Sequence, residues 1–141
     1  MEAINDNLIP WRFVSRWECV RCGWCCRNLD VHLTVFDEMR LKKYGDVFWR
    51  SKVGVYLKKV NGACIFYDGL CKIYPERPRA CVFYPFYFLR KGEEIARFGK
   101  YYVYVDRNCR GLGRGRKVEE VLKELLRIKE LGARTVHNFT S

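Results

Sequence analysis

Apolar and polar positions alternate over "LDVHLT", residues 29–34, as in a short strand. "TVFDEMRLKKYG" (34–45) follows as a helix of about two turns. Thr34 is placed to cap it, Asp37 stands where a capping-box carboxylate belongs, and Gly45 ends it. "VGVYLKKVNGACIFYDG" (53–69) predicts two strands joined at Asn61-Gly62. "KIYPERPRACVFYPF" (72–86) holds Pro75, Pro78 and Pro85, so it reads as a rigid, irregular connection with at most one helical turn. "PFYFLRKGEEIARFGKYYVYVD" (85–106) reads as a strand pair around Lys91-Gly92. The clearest helix is "GRKVEEVLKELLRIKELG" (115–132), where Val118, Val121, Leu122, Leu125 and Ile128 form one apolar stripe and Gly132 is the stop.

These elements predict a small α+β domain spanning residues 1–141: a mainly antiparallel sheet, a cysteine-rich metal-binding lobe, and a C-terminal amphipathic helix packed across the sheet. No apolar run is long enough to cross a membrane, and "MEAINDNLIPWRF" has neither the basic nor the apolar region of a signal peptide. The expected compartment is therefore the cytoplasm, with no membrane partner.

That expectation changes how the eight cysteines are read. Cytosolic thiols are normally reduced, which favours metal ligation over a disulfide framework. The chain has no glutamine and is rich in Lys, Arg and Glu, a bias of hyperthermophile proteins, whose intracellular members can carry disulfides. Net charge is +11, which admits a nucleic acid or an acidic protein as partner. Two four-thiolate centres of about −2 each would lower it to roughly +7. Arg21, Arg27, Lys72, Arg79 and Arg110, all near cysteines, are candidates for neutralising such centres.

"WECVRCGWCCRN" (17–28) carries Cys19, Cys22, Cys25 and Cys26. The run C-x-x-C-x-x-C over Cys19, Cys22 and Cys25 is how a ferredoxin-type segment encloses three corners of a cubane. A single Zn²⁺ more often takes two separated pairs. Neighbouring side chains in an extended or turn segment diverge, so one of Cys25 and Cys26 is expected to serve a second centre. With Cys64, Cys71, Cys81 and Cys109 the chain has enough thiolates for two four-ligand sites. The radical S-adenosylmethionine spacing C-x-x-x-C-x-x-C does not match.

"CVRCGWCC" (19–26), "ACIFYDGLCKIYPERPRACVFYPF" (63–86) and "CRGLGRGR" (109–116) resemble the C-x-x-C-x-x-C-C family of zinc- or iron-chelating proteins. The resemblance spans residues 19–116 with all eight cysteines in place. Val82 departs from it, since the family often has Arg there. The resemblance implies metal binding through the eight cysteines and tilts toward iron–sulfur over zinc. Some larger members are S-adenosylmethionine-dependent flagellin lysine methylases. This chain lacks their extra length, so a role as a component of such a protein lysine methylase is the weakest of the readings.

Other constellations carry less. Gly111, Gly113 and Gly115, with Arg114, Arg116 and Lys117, precede the last helix and could meet a phosphate, although a loose glycine repeat more often turns its N–H groups toward a nearby sulfur, here Cys109. Tyr74 and Arg77 sit in "IYPERP", where prolines hold Arg77 in one direction, suited to an ion pair or to a donor facing a cluster. His32 and His137 are secondary candidates as ligands. No Ser-His-Asp grouping or paired catalytic carboxylates occur. The functional expectation is a cluster-binding protein, most simply [4Fe–4S] with one or two centres, in a redox or cluster-dependent catalytic role. The alternative is a zinc-stapled module for RNA or an acidic protein.

Overall fold

A computed structural model describes residues 7–132. His137 lies outside the described residues. In chain order the first elements are β1 (Leu8–Pro10), β2 (Arg16–Trp17), α1 (Trp24–Asn28), β3 (His32–Leu33), α2 (Val35–Leu41), β4 (Phe48–Ser51), β5 (Gly54–Leu57), β6 (Lys59–Val60) and β7 (Ala63–Cys64). They are followed by α3 (Arg79–Phe83), β8 (Phe86–Leu89), β9 (Arg97–Phe98), β10 (Tyr101–Asp106), β11 (Arg116–Lys117) and α4 (Val118–Gly132). The class is α+β, with several small antiparallel sheets in place of one larger sheet. Two compact units form, each discontinuous in sequence: 7–20 with 83–129, and 21–82 with 130–132 among the described residues.

The first unit is organised by β10, which pairs antiparallel with β8 along one edge and with β9 and β1 along the other. Val103, Tyr104 and Val105 are almost wholly buried, as a strand with neighbours on both edges requires. The β8–β10 pair matches the expected strand pair, but the connection is longer than a Lys91-Gly92 turn. A 3₁₀ turn (Glu94–Ala96) and β9 lie within it, and Glu93 N–H donates to the Tyr104 hydroxyl at 2.8 Å. β1 was not legible in the sequence, because a three-residue edge strand ending in proline carries almost no periodicity. In α4, Val118, Val121, Leu122 and Leu125 are buried, as the apolar stripe predicts.

The second unit is built from shorter pieces. β5 lies between β3 and β4, and β6–β7 form a hairpin at Asn61-Gly62, both with positive φ (54° and 82°). Its core is Val31, Leu33, Leu41, Val47, Leu57, Phe66 and Ile73, with Cys64 among them. α2 carries the expected capping box: Asp37 N–H donates to Thr34 Oγ1 (3.0 Å), and Thr34 N–H donates to Asp37 Oδ2 (2.9 Å).

Asp37 does more than cap. Its buried carboxylate pairs with Arg40 at 2.7 Å and accepts from the Arg79 N–H at 3.2 Å. Arg40 in turn donates to the carbonyls of Glu76 (3.0 Å) and Arg77 (3.3 Å). The pair therefore grips residues 76–79, which lead into α3. Removing one partner of a buried ion pair strands the other charge, at about 3–5 kcal/mol, whereas a lost cap costs about 1 kcal/mol. We expect Thr34→Ala to lower unfolding free energy by about 1 kcal/mol and Asp37→Ala by about 3 kcal/mol or more. Denaturant titration of the two variants checks the ranking, and equal losses would show that Asp37 acts only as a cap.

Candidate metal centre

Four segments of the second unit bring five thiols close enough for their charges to act on one another. α1 supplies Cys25 and Cys26, β7 supplies Cys64, the following loop supplies Cys71, and α3 supplies Cys81. α1 packs on β7, and Cys26, Cys71 and Cys81 pack against the core cluster that contains Cys64. The loop from Cys64 to Cys71 doubles back on itself: Tyr67 N–H donates to Cys64 O (2.8 Å), Lys72 N–H to Phe66 O (2.9 Å), and Tyr67 bridges to Cys71.

The C-G-x-C-C glycine has a spatial reason. Gly23 is the N-cap of α1 at φ 80°, and a Cβ there would overlap the Tyr67 ring. Tyr67 thus seats the entry of α1 on the Cys64–Cys71 loop, and only glycine satisfies both the backbone and the contact. Nothing in the sequence marked Tyr67 except its position between two cysteines.

Cys25 and Cys26 behave as a pair. Both lie on α1, where adjacent side chains are not thrown to opposite sides, and Cys26 hydrogen-bonds to the Cys25 sulfur. The divergence expected for an extended segment does not hold here, because this stretch is helical. That hydrogen bond pulls the Cys25 thiol down to about 7, helped by the positive charge of Arg77. Cys26 is pushed up, first because it donates to Cys25, then by burial and by the charges of Cys25, Cys71 and Cys64. Burial is the main cause of the upward shifts of Cys81 and Cys64, reinforced by neighbouring thiolates.

Arg77 and Arg21 flank one ring. Their guanidinium carbons lie 4.0 and 3.9 Å from the Tyr74 ring centroid, and two groups that close must take opposite faces. Arg77 Nε also donates to Tyr74 O at 2.9 Å. So fixed, Arg77 acts electrostatically on both Cys25 and Cys81, favouring their thiolates. Arg21 reaches the ring from a positive φ of 54°, which a non-glycine residue adopts at a cost.

The remaining cysteines are placed differently. Cys22 is half-buried ahead of α1 in the second unit, while Cys19, exposed, and Cys109 belong to the first unit. Cys109 Sγ accepts from Trp17 Nε1 at 3.2 Å. Its loop is set by buried Asp106, which accepts from Tyr84 Oη (2.9 Å) and from the backbone and side chain of Asn108. Gly111 is needed for close approach, since a Cβ would run into the Glu18 carbonyl. The Gly113 N–H goes to Arg16 O rather than to sulfur. Arg116 pairs with Glu124. His32 packs edge-on against Tyr56 and lies over Gly54.

None of the eight cysteines is in a disulfide. Among the described residues, no three potential ligands already stand at the spacing of a formed metal site. The donor set nevertheless fits a soft cation. Each thiolate formed raises the cost of the next, and a bound metal reverses that sign. The site and fold define a cysteine-cluster, metal-chelating domain. Residues 18–112 match the model of the CxxCxxCC family, described as a "Putative zinc- or iron-chelating domain", and the chain belongs to that family. No curated protein and no solved structure matches it.

Two outcomes are expected. Gly23→Ala should destabilise by about 2 kcal/mol through strain and overlap, and by less in a Tyr67→Ala background. Full additivity in that double-mutant cycle would show that the two residues are not coupled. For the metal-free protein, pH dependence follows from the thiols. Cys25, lowered to about 7 from 9.0, adds stability as pH rises from 7 to 9 and loses it as pH falls through 7. Cys26, Cys64 and Cys81 are raised above 9.0, so the unfolded chain ionises first and stability falls above pH 9. Denaturation under reducing, anaerobic conditions should therefore show a maximum near pH 9 that Cys25→Ser flattens on its acid side.

Proposed function

We propose that the thiols of the second unit hold an iron–sulfur cluster, most simply [4Fe–4S], and that the protein works through it as a redox or cluster-dependent catalytic component. The observation that carries this reading is the convergence of Cys25, Cys26, Cys64, Cys71 and Cys81, enough thiols for a four-thiolate centre. The family's chelating character supports it. A cluster held there supplies one-electron chemistry. The chain's own part is to gather the sulfurs, limit water around Cys64 and Cys81, and offset thiolate charge with Arg77. Binding also supplies folding free energy to a unit whose elements are short. All eight cysteines remain candidate ligands, and the iron-to-chain ratio reads whether there is one centre or two.

The test is iron, zinc and acid-labile sulfide per chain after purification without oxygen and without a histidine tag. About four iron and four sulfide per cluster are expected, with reversible bleaching on reduction. Cys64→Ser and Cys81→Ser should lose most of the iron, and Arg77→Ala should weaken retention about tenfold or more. Zinc without sulfide would overturn the iron–sulfur reading and leave the cysteines as a scaffold. Neither metal nor titratable thiols would overturn metal binding by this chain.

A further inference from the structure

The first unit carries a cationic groove that the metal site does not use. It has a volume of about 580 Å³ and is lined by Arg12, Arg16 and Lys117, with Trp11 in its wall and Glu119 as its one carboxylate. Its two arginines are fixed rather than loose. Arg12 Nη1 donates to Ile95 O at 2.7 Å, and its guanidinium lies 4.7 Å from the Trp11 ring centroid. Arg16 Nη1 donates to Gly115 O, also at 2.7 Å. These partners are carbonyls. Among the described residues, none of Arg12, Arg16 and Lys117 has a carboxylate within ion-pair distance, whereas nearby Arg116 is neutralised by Glu124.

The pairing of β2 with β11 makes the charge harder to explain as a solvated face. Arg16 and Lys117 are direct register partners across this two-stranded ribbon, an arrangement of like charges that costs stability. An anion between them turns the cost into a gain. The sites are strung along a ribbon and the turn before it, so the geometry suits a run of phosphates better than a single one. Phe13, the chain neighbour of Arg12 at the edge of this lining, is 65% exposed, in the sequence "WRFVSR" that holds two aromatics and two arginines. An exposed ring next to a cationic track is the combination that holds single strands, one base stacked while the backbone is neutralised.

We propose that this groove binds single-stranded nucleic acid, with Arg12, Arg16 and Lys117 on successive phosphates and Phe13 under a base. The inference does not depend on which metal the cysteines hold.

The experiment is fluorescence anisotropy of the metal-loaded full chain with a labelled 12-nucleotide mixed-sequence RNA, titrated across salt concentration. Each phosphate contact on a single strand contributes about 0.7 to the log–log salt slope. The triple variant Arg12→Ser/Arg16→Ser/Lys117→Ser should therefore flatten that slope by about 2 and weaken binding about a hundredfold at 0.1 M salt. Phe13→Ala should weaken it about tenfold without changing the slope. A charge-matched control, Lys42→Ser/Lys52→Ser/Arg90→Ser, should change both far less. If the groove triple loses metal or fold, the single Arg12→Ser and Lys117→Ser variants read the same effect as a slope change of about 0.7 each. Equal losses from the groove and control triples would overturn the proposal, as would no binding at all. Groove-dependent binding to vesicles containing anionic lipid, without RNA binding, would assign the groove to a membrane surface and overturn it as well.

Discussion

The second unit depends on crowded sulfur that is costly to ionise. Five thiols from four segments lie in a half-buried site where thiolates raise one another, and Arg77 opposes them at both Cys25 and Cys81. Such a site is a poor place for charge until a cation enters and a very good one afterwards. Much of the surrounding structure serves that condition. Tyr67 sits on Gly23 to bring α1 against the Cys64–Cys71 loop, Tyr74 is clamped between Arg21 and Arg77, and the Asp37–Arg40 pair grips the backbone at 76–79 ahead of Cys81.

These polar clamps compensate for what the unit lacks. Its strands are two to four residues long and its core is one cluster of modest side chains. Little apolar area is available to hold so many turns in place, and small scaffolds of this kind depend on staples. The buried Asp37–Arg40 pair is one such staple. A metal bound to the gathered thiols would be another, and would make the centre part of the fold as well as its chemistry.

The first unit is stabilised more conventionally. β10 is paired on both edges and buried along its length, and the α4 stripe is buried too. Polar detail is concentrated where the chain leaves β10: Asp106 sets the turn, Trp17 reaches Cys109, and Gly111 admits the Glu18 carbonyl. The same β2–β11 crossing places Arg16 opposite Lys117, so the device that positions Cys109 also builds the cationic groove.

Features governed by nearest neighbours in the chain were legible before any coordinates. The Thr34–Asp37 box, the stop at Gly45, the Asn61-Gly62 hairpin and the α4 stripe all follow from interactions spanning a few residues. The cysteine spacing likewise marked the chemistry and the family, because ligand spacing is itself a local constraint. Tertiary structure decided what crosses long stretches of chain. β1 came to the edge of β10, Asp37 was drawn from a cap into a clamp 42 residues away, and Tyr67 turned out to be the reason for Gly23. It also placed Cys25 and Cys26 on a helix, where an extended or turn segment had been expected. Periodicity and spacing record the backbone's local geometry. Burial, charge coupling and shared contacts arise only when distant segments meet, and they determined which thiols gather.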